Sequence, residues 1–345
     1  MAAPLAKRVL VIGARGELGT LTTRAFEGAG WEVRPGSRRP RSGEVRVDVD
    51  QAESAAAIAD GDELVVNTVP HRGLLVERAV LERGGVAINV SGLPAAAGRA
   101  LRAAAGGARG TVLMNAGLVP GVSNLVAAEL LRAHPHADEL EIVLTLSAAA
   151  RRGPAAVQLI RRGLTTVSRH RTVSVSLPEP FGERECVGFA ETDAGWLGGI
   201  AEGRLIRVYI CLAEPEAHAL LLTQNRSGRV SRLPKSPIGW RRPVSGARPD
   251  DEPVAHWVAA KFRGRVIEAR TLECHGHYLH AAHATVVFAE ALLARPQPAG
   301  CLDPEELLTL SDLEAPLLAA GIAIVSRGQG TRTSGDAYDR ANADN

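Results

Sequence analysis

Short β-branched runs alternate with helically spaced apolar residues through the first third of the chain. Residues 8–12, Arg-Val-Leu-Val-Ile, read as a buried strand, and a glycine turn from Gly13 to Gly19 breaks it. Leu18 through Gly28 has helical apolar spacing. A second strand begins at Trp31, and the alternating run 45–50 predicts a third. An Ala-rich helix follows, then a fourth strand over 63–70 that ends at a proline. A helix near 73–83, a fifth strand over 85–92, an Ala-rich helix near 95–105 and a sixth strand entering "GTVLMNAGLVPG" complete the series. Strands alternating with helices predict an α/β fold with a doubly wound parallel sheet of Rossmann type.

The texture changes after about residue 137. "ELEIVLTLSAA" (139–149) predicts a longer strand, 153–167 a helix, and 171–177 a cleanly alternating strand. "GRLIRVYICLAEPEAHALLLTQ" predicts a strand followed by a helix, and 254–276 two long strands turning at Gly264. Long alternating strands separated by turns predict an α+β second domain with a largely antiparallel sheet. A helix returns from His280 to Leu293. The expected organisation is a dinucleotide-binding domain over 1–124, an α+β substrate or dimerisation domain over 125–279, C-terminal helices returning to the first domain over 280–326, and a disordered tail over 327–345.

"VLVIGARGELGTL" places Gly13, Gly16 and Gly19 after a strand and at the opening of a helix. Gly13 turns the chain, Gly16 lets backbone approach a pyrophosphate, and Gly19 lets helix and strand pack closely. The pyrophosphate would sit on the free N–H groups of the helix start, here Ala14, Arg15, Gly16, Glu17 and Leu18. Adenine-ribose selectivity is expected at the end of the second strand. There the chain carries Ser37, Arg38 and Arg39 and no acid, and Arg15 is a further cation. Guanidinium groups match a phosphate bidentately, so the cofactor expected is NADP (NADPH). Asn67, Thr68, Val69 and Pro70 end the fourth strand, and Ser91 and Gly92 end the fifth; both are expected to line the nicotinamide half.

At "NAGLVPGVSNLVA" the chain resembles the saccharopine dehydrogenase-like reductases, a family that includes saccharopine reductase, carboxynorspermidine dehydrogenase and homospermidine synthase. The matching residues are Gly117, Pro120, Gly121, Ser123 and Asn124. "VVNTVPHRGLLVERAVLERGGVAINVSG" is similar to the family's "N-x-x-P … A-x-x-x-G-V-x-Y-x-D-x-S" stretch. "HATVVFAEALLARPQPAGCLDPEELLTL" is similar to its closing helix and "G-x-x-x-P-E" turn, with Pro304 and Glu305. The resemblance implies a reductase scaffold whose last helices pack on the first domain and whose middle domain selects the substrate. Asn115, Pro120 and Gly121 are then expected beside the substrate. The family's "Y-x-D" is replaced by Ile88-Asn89-Val90, which removes a tyrosine and a carboxylate.

Composition narrows the function classes. Net charge is +2, from 40 basic and 38 acidic residues, and no basic stripe interleaved with aromatics appears, which argues against nucleic-acid binding. Aromatics are 3% of the chain, so the core is aliphatic. Cys186, Cys211, Cys274 and Cys301 form no CxxC pair and read as free thiols of a cytoplasmic protein. The N-terminal apolar run is too short for a signal peptide, and no segment has membrane-span length.

Hydride transfer needs mainly alignment, with a proton donor where the substrate is a carbonyl. Lysine occurs only as Lys7, Lys235 and Lys261, which argues against a Schiff-base lysine. The densest titratable cluster, "ECHGHYLHAAH", offers His277 or Tyr278 as proton donor. His280 and His283 share a helix face, but no convergent partner pair completes a metal site, so no metal is expected. Arg151 and Arg152 precede the helix opened by Pro154 and suit a substrate carboxylate, the alternative being a solvated loop pair. The expectation is an NADP-dependent oxidoreductase acting on the C=N bond of an amino-acid or polyamine conjugate, in a cleft between the two domains. The competing readings are a non-catalytic NADP(H)-binding sensor or partner protein, and a carbonyl reductase of specialised metabolism. An antiparallel second sheet often pairs across a two-fold axis, so a homodimer is expected.

Overall fold

The computed structural model describes residues 7–58, 64–70, 73–91, 95–148, 150, 152–166, 171–189, 197, 203–228 and 252–327. The strands are β1 (Arg8–Ile12), β2 (Glu32–Ser37), β3 (Val45–Arg46), β4 (Leu64–Asn67), β5 (Val86–Asn89), β6 (Thr111–Leu113), β7 (Glu139–Leu146), β8 (Thr172–Ser176), β9 (Glu183–Phe189), β10 (Leu205–Leu212), β11 (Pro253–Phe262), β12 (Arg265–His275), β13 (Gly300–Leu302) and β14 (Ala323–Arg327). The helices are α1 (Glu17–Gly28), α2 (Ala52–Ile58), α3 (Leu75–Arg83), α4 (Ala95–Ala104), α5 (Val122–Ala133), α6 (Pro154–Thr166), α7 (Pro215–Arg226), α8 (His277–Leu293), α9 (Pro304–Leu307) and α10 (Leu310–Ala319). Two compact units result: Met1–Leu125 with Tyr278–Ala320, and Val126–His277 with Gly321–Asn345.

The first unit is built on a parallel sheet ordered β13-β6-β5-β4-β1-β2-β3. Its central strands are apolar on both faces because helices cover both, so β1 and β4 are buried almost end to end. Leu10, Ile12 and Val65 pack with Val80 and Leu81 of α3 and Leu101 of α4. The strand order reverses at β1: β2 and β3 lie on one side, β4 and β5 on the other. Ligands of open α/β sheets bind at such a reversal.

The alternating run 45–50 forms a strand only at Val45–Arg46. Asp48 ends it: its side chain accepts the Asp50 N–H at 3.1 Å and its carbonyl the Gln51 N–H, turning the chain toward α2. The segment 280–326 is not helical throughout. β13 adds an edge strand to the first sheet and β14 adds one to the second, pairing with β12. Both strands lie within the stretch expected to be helical, so neither was foreseen.

The second unit carries a mixed sheet ordered β14-β12-β11-β7-β10-β9-β8. All its pairs are antiparallel except β7 with β10. The β11–β12 hairpin turns at Arg263 (φ 51°) and Gly264 (φ 77°), the two positive φ values of a tight hairpin whose twist matches its strands. Val143, Tyr209, Trp257 and Ala259 form its core with Val175 and Phe181.

β7 lies at the centre and is buried along its whole length, although it begins Glu139-Leu-Glu141. Lys261 Nζ on β11 stands 3.0 Å from Glu141 Oε2 and 3.6 Å from Glu139 Oε1, and Arg207 on β10 stands 2.9 Å from Glu139 Oε1. Burial raises the Glu141 carboxyl above its usual range, and Lys261 pulls it down. Lys261→Met should therefore strand a buried carboxylate and cost about 3–5 kcal/mol in urea unfolding. Adding Glu141→Leu to that variant should recover most of the loss, because an apolar pair leaves no charge uncompensated.

Candidate functional site

At the carboxyl end of the first sheet, Gly13 has φ 82°, a conformation that favours glycine. A Cβ there would lie 2.5 Å from Val69 Cγ2 and 2.7 Å from Thr68 Oγ1, so the β1 and β4 ends come close. A Cβ at Gly19 would lie 2.0 Å from Gly13 O, which presses the first turn of α1 against the strand end. Gly16 is the N-cap of α1 and makes no side-chain capping bond. An anion seated here meets the positive end of a helix across a floor that side chains would fill. The residues present thus fit a dinucleotide diphosphate.

Ser37 ends β2 and is buried, while Arg38, Arg39 and Arg15 are exposed. Arg15 donates to the Arg39 carbonyl at 2.6 Å, tying the glycine turn to the segment after β2. A carboxylate does stand at this end, from seven residues downstream. Glu44 accepts from Ser37 Oγ at 3.0 Å and from the Arg41 N–H at 2.9 Å. The bond from the Arg41 N–H lowers its pKa most, with help from Ser37 and Arg15. The acid missing from the strand in sequence is supplied by the following loop.

Beneath the rim, the asparagines at the ends of β4 and β5 face each other in register. Asn67 and Asn89 each donate to Glu77 Oε1 of α3, at 2.8 and 2.6 Å. Their carbonyl oxygens accept the N–H of Val69 and of Ser91, both at 2.9 Å. Thr68 sends both its hydroxyl and its N–H to the Ile12 carbonyl. The expected residues of the fourth and fifth strand ends are thereby gathered at one edge. Pro70 is exposed beside them, and Gly92 lies outside the described residues.

The Pro-Gly corner after β6 closes on itself. Gly117 donates to the Pro120 carbonyl, Val122 donates to the Gly117 carbonyl, and a Cβ at Gly121 would lie 2.0 Å from Gly117 O. Asn124 accepts the Gly121 N–H at 3.2 Å, the reciprocal half of a capping box, and donates to Glu305 at 3.3 Å. Asn115 (φ 55°) gives its amide to Asp303 at 2.9 Å, and Asp303 is also held by Arg102. Pro120 is half-buried within this corner.

The second unit gathers a separate polar set. Thr145, at the end of β7, donates its N–H to His256 Nδ1 at 3.1 Å, and its hydroxyl accepts the Ala255 N–H. His256 Nε2 stands 3.1 Å from His277 Nδ1. Glu252 accepts the His277 N–H at 2.9 Å and lies 3.7 Å from Arg152, whose guanidinium also reaches the Ser147 carbonyl. Ser147 in turn donates to Glu214, which also accepts the Ala148 N–H at 2.8 Å. Arg152 and His277, far apart in sequence, belong to one cluster. Tyr278 follows as the second residue of α8, and Arg151 lies outside the described residues. His280 and His283 meet edge to face at 5.4 Å. Among the described residues no group of three or more His, Cys, Asp or Glu could hold a metal ion.

Compared with solved structures, the chain is similar to saccharopine dehydrogenase (L-Glu forming) from Saccharomyces cerevisiae. The TM-score is 0.53 at 12% identity, over 93% of this chain and 100% of that one. The chain has a saccharopine dehydrogenase-like fold. Looser likenesses are the WlbA dehydrogenase of Thermus thermophilus, solved with NAD and UDP-GlcNAcA (TM-score 0.42, 15% identity, 91% of this chain and 93% of that one), and amine dehydrogenase of Mycobacterium smegmatis (0.43, 12%, 88% and 96%). Those two are too distant to carry an argument. No family model matches the sequence, and no curated protein matches it.

Within this saccharopine dehydrogenase-like fold, sequence reasoning overlooked Glu77, Glu44, Glu252 and His256. Glu77 did leave a signal, a carboxylate in helical register with Leu74 and Leu81 on an apolar face. His256 left another, a lone histidine inside the buried run Val254–Ala260.

The Asn124–Glu305 contact yields a pH test. Burial, aided by the Asp303 charge, pushes the Glu305 carboxyl up to about 8. In the unfolded chain it titrates near about 4.3. Folding therefore favours the protonated form, and this stability is complete below about pH 4.3 and is lost as pH rises through about 8. Glu305→Gln should match the parent in urea unfolding near pH 4.5 and exceed it at pH 8.5.

Proposed function

We propose that the protein is an NADP-dependent oxidoreductase that reduces a C=N bond in a substrate derived from an amino acid or a polyamine. The observation that carries the nucleotide half is the crowded glycine floor at the β1/β4 reversal. Gly13 to Leu18 would hold the diphosphate; Arg15, Arg38 and Arg39 would hold a 2′-phosphate; Thr68 to Pro70 and Ser91 would flank the nicotinamide. When bound, the nicotinamide supplies or accepts hydride. The chain's own part is to bind and orient. Asn67, Asn89 and Glu77 keep the strand ends in one arrangement, so the rim does not reorganise as ligand enters.

A Schiff-base lysine has little support. Lys7 pairs with Glu290 and Lys261 with Glu141, and Lys235 lies outside the described residues. An imine substrate carrying its own proton needs no such group. In the resemblance the middle domain selects the substrate, and in the second unit Arg152 and His277 share a cluster. A substrate carboxylate suits that set only if Arg152 is drawn from Glu252.

One observation favours the sensor reading. At the tyrosine and carboxylate positions of the resemblance's "Y-x-D" stand Ile88 and Val90, both buried and apolar, so neither position carries a titratable side chain. No helix among the described residues is long and apolar enough to cross a membrane. Two measurements separate the readings. Arg38→Ala with Arg39→Ala should weaken NADPH binding by calorimetry roughly 10- to 100-fold, the loss of one or two charge-assisted bonds, and change NADH binding little. NADPH consumption should appear with an amine plus aldehyde or keto-acid pair; tight NADPH binding without turnover on any pair favours the sensor.

A further inference from the structure

We infer that Glu44 sets the nucleotide selectivity of the first unit and lets the site take NADH as well as NADPH. This role rests on the nucleotide half of the reading above and involves residues of the first unit alone. In sequence the end of β2 looks purely cationic, with Arg38 and Arg39 after the strand and Arg15 in the glycine turn. In the fold a carboxylate stands with them.

Strand pairing brings it there. β2 and β3 run parallel, with Gly36 opposite Val45 and Ser37 opposite Arg46. Glu44, one residue ahead of β3, is therefore held beside the end of β2. The chain between them turns at Gly43 (φ 83°), and the turn is closed twice. The Glu44 N–H donates to the Arg41 carbonyl at 3.0 Å, and the Arg41 N–H donates to Glu44 Oε2 at 2.9 Å. Ser37 Oγ donates to the same oxygen at 3.0 Å. Among the described residues none donates to Oε1. The neighbouring strand fixes the other wall: the Gly36 carbonyl accepts the N–H of both Gly13 and Ala14, so the end of β2 and the glycine turn form one edge.

The carboxylate is charged at neutral pH. The bond from the Arg41 N–H holds it below the usual range, opposed by desolvation and helped by Ser37, Arg15 and the Arg41 guanidinium. Two effects on a nucleotide follow. An ionised oxygen at the end of the second strand accepts the hydroxyls of an adenosine ribose, as strand-end acids do in dinucleotide-binding sheets. The same charge opposes a 2′-phosphate, and it holds the one proton of Ser37 that such a phosphate would otherwise accept. Arg15, Arg38 and Arg39 act in the other direction, since guanidinium groups attract phosphate. One carboxylate set against three guanidinium groups excludes neither nucleotide. Selectivity then depends on that balance.

The test is calorimetry on the full-length protein with NADH and NADPH, and with AMP and adenosine 2′,5′-bisphosphate to isolate the adenosine end. The parent should bind both dinucleotides. Glu44→Gln keeps an oxygen for Ser37 and Arg41 and removes the charge. It should tighten NADPH and the bisphosphate about tenfold, through the loss of a like charge. It should weaken NADH and AMP about threefold or more, because the remaining ribose bonds are no longer charge-assisted. Glu44→Ala should move the two classes of probe apart in the same sense. A carboxylate that did no more than close its own turn would leave the ratio unchanged in Glu44→Gln and shift all four probes together in Glu44→Ala; either result overturns the role. If Glu44→Ala does not fold, Glu44→Gln still decides. A parent that takes only one of the two dinucleotides overturns the dual selectivity. A parent that binds neither overturns the nucleotide reading itself, and this role with it, whereas a parent that binds both with a ratio unmoved by Glu44→Gln overturns this role alone.

Discussion

A Cβ on residue 19 would stand 2.0 Å from the carbonyl oxygen of Gly13, and one on residue 13 would run into Val69 and Thr68. Two glycines therefore decide how near α1 comes to β1, and how near β1 comes to the end of β4. The nucleotide end of the first unit depends on that approach. It brings the uncapped first turn of α1 to the point where the strand order reverses, where the sheet leaves room outside its carboxyl ends. Thr68 fixes the same geometry from the other side by giving both its donors to the Ile12 carbonyl. Packing and hydrogen bonding thus specify one floor.

A floor of glycine is only as rigid as what supports it. Three strand ends on this edge are tied from below by side chains as well as by the ladder. Glu77 joins β4 to β5 through two amides, and Asp303 joins the end of β6 to α4 through Asn115 and Arg102. Amides suit this work. At Asn67 and Asn89 the amide donates to the carboxylate and accepts the backbone N–H two residues on, so a single side chain satisfies two buried groups at a strand end. Asn67, Asn89 and Asn115 accordingly face inward with their donors already placed. What they give a ligand is a fixed rim.

The alternation of parallel strands and helices was legible because strands buried on both faces read as unbroken apolar runs, and the glycine turn was legible because its spacing is local. The β11–β12 hairpin was legible from Gly264 alone. Partners were not. Glu44 reaches Ser37 from seven residues away, around a loop, so the end of β2 reads as acid-free in sequence while the folded chain has a carboxylate there. Arg152 and His277 were visible as separate candidates, but Glu252 and His256, which link them, reach them through antiparallel pairing and a turn that no linear period encodes. β13 and β14 escaped notice because both fall inside the stretch 280–326 read as helices.

The second unit solves the burial of polar groups differently at the two ends of one strand. At its start, β7 carries full charges, Glu139 and Glu141, matched by Lys261 and Arg207 from the strands on either side. At its end, Thr145 meets a neutral imidazole, and the sequence of donors and acceptors runs from backbone to His256 to His277. Ion pairs hold register because either partner alone is costly in a buried sheet. They are poor at presenting a group to a ligand, since their charges are engaged with each other. A buried neutral imidazole has the opposite character: His256 satisfies the Thr145 N–H with no charge to desolvate. The charged end of β7 is therefore held by cations of the neighbouring strands, while Thr145 at its other end is satisfied by a buried imidazole that burial keeps uncharged.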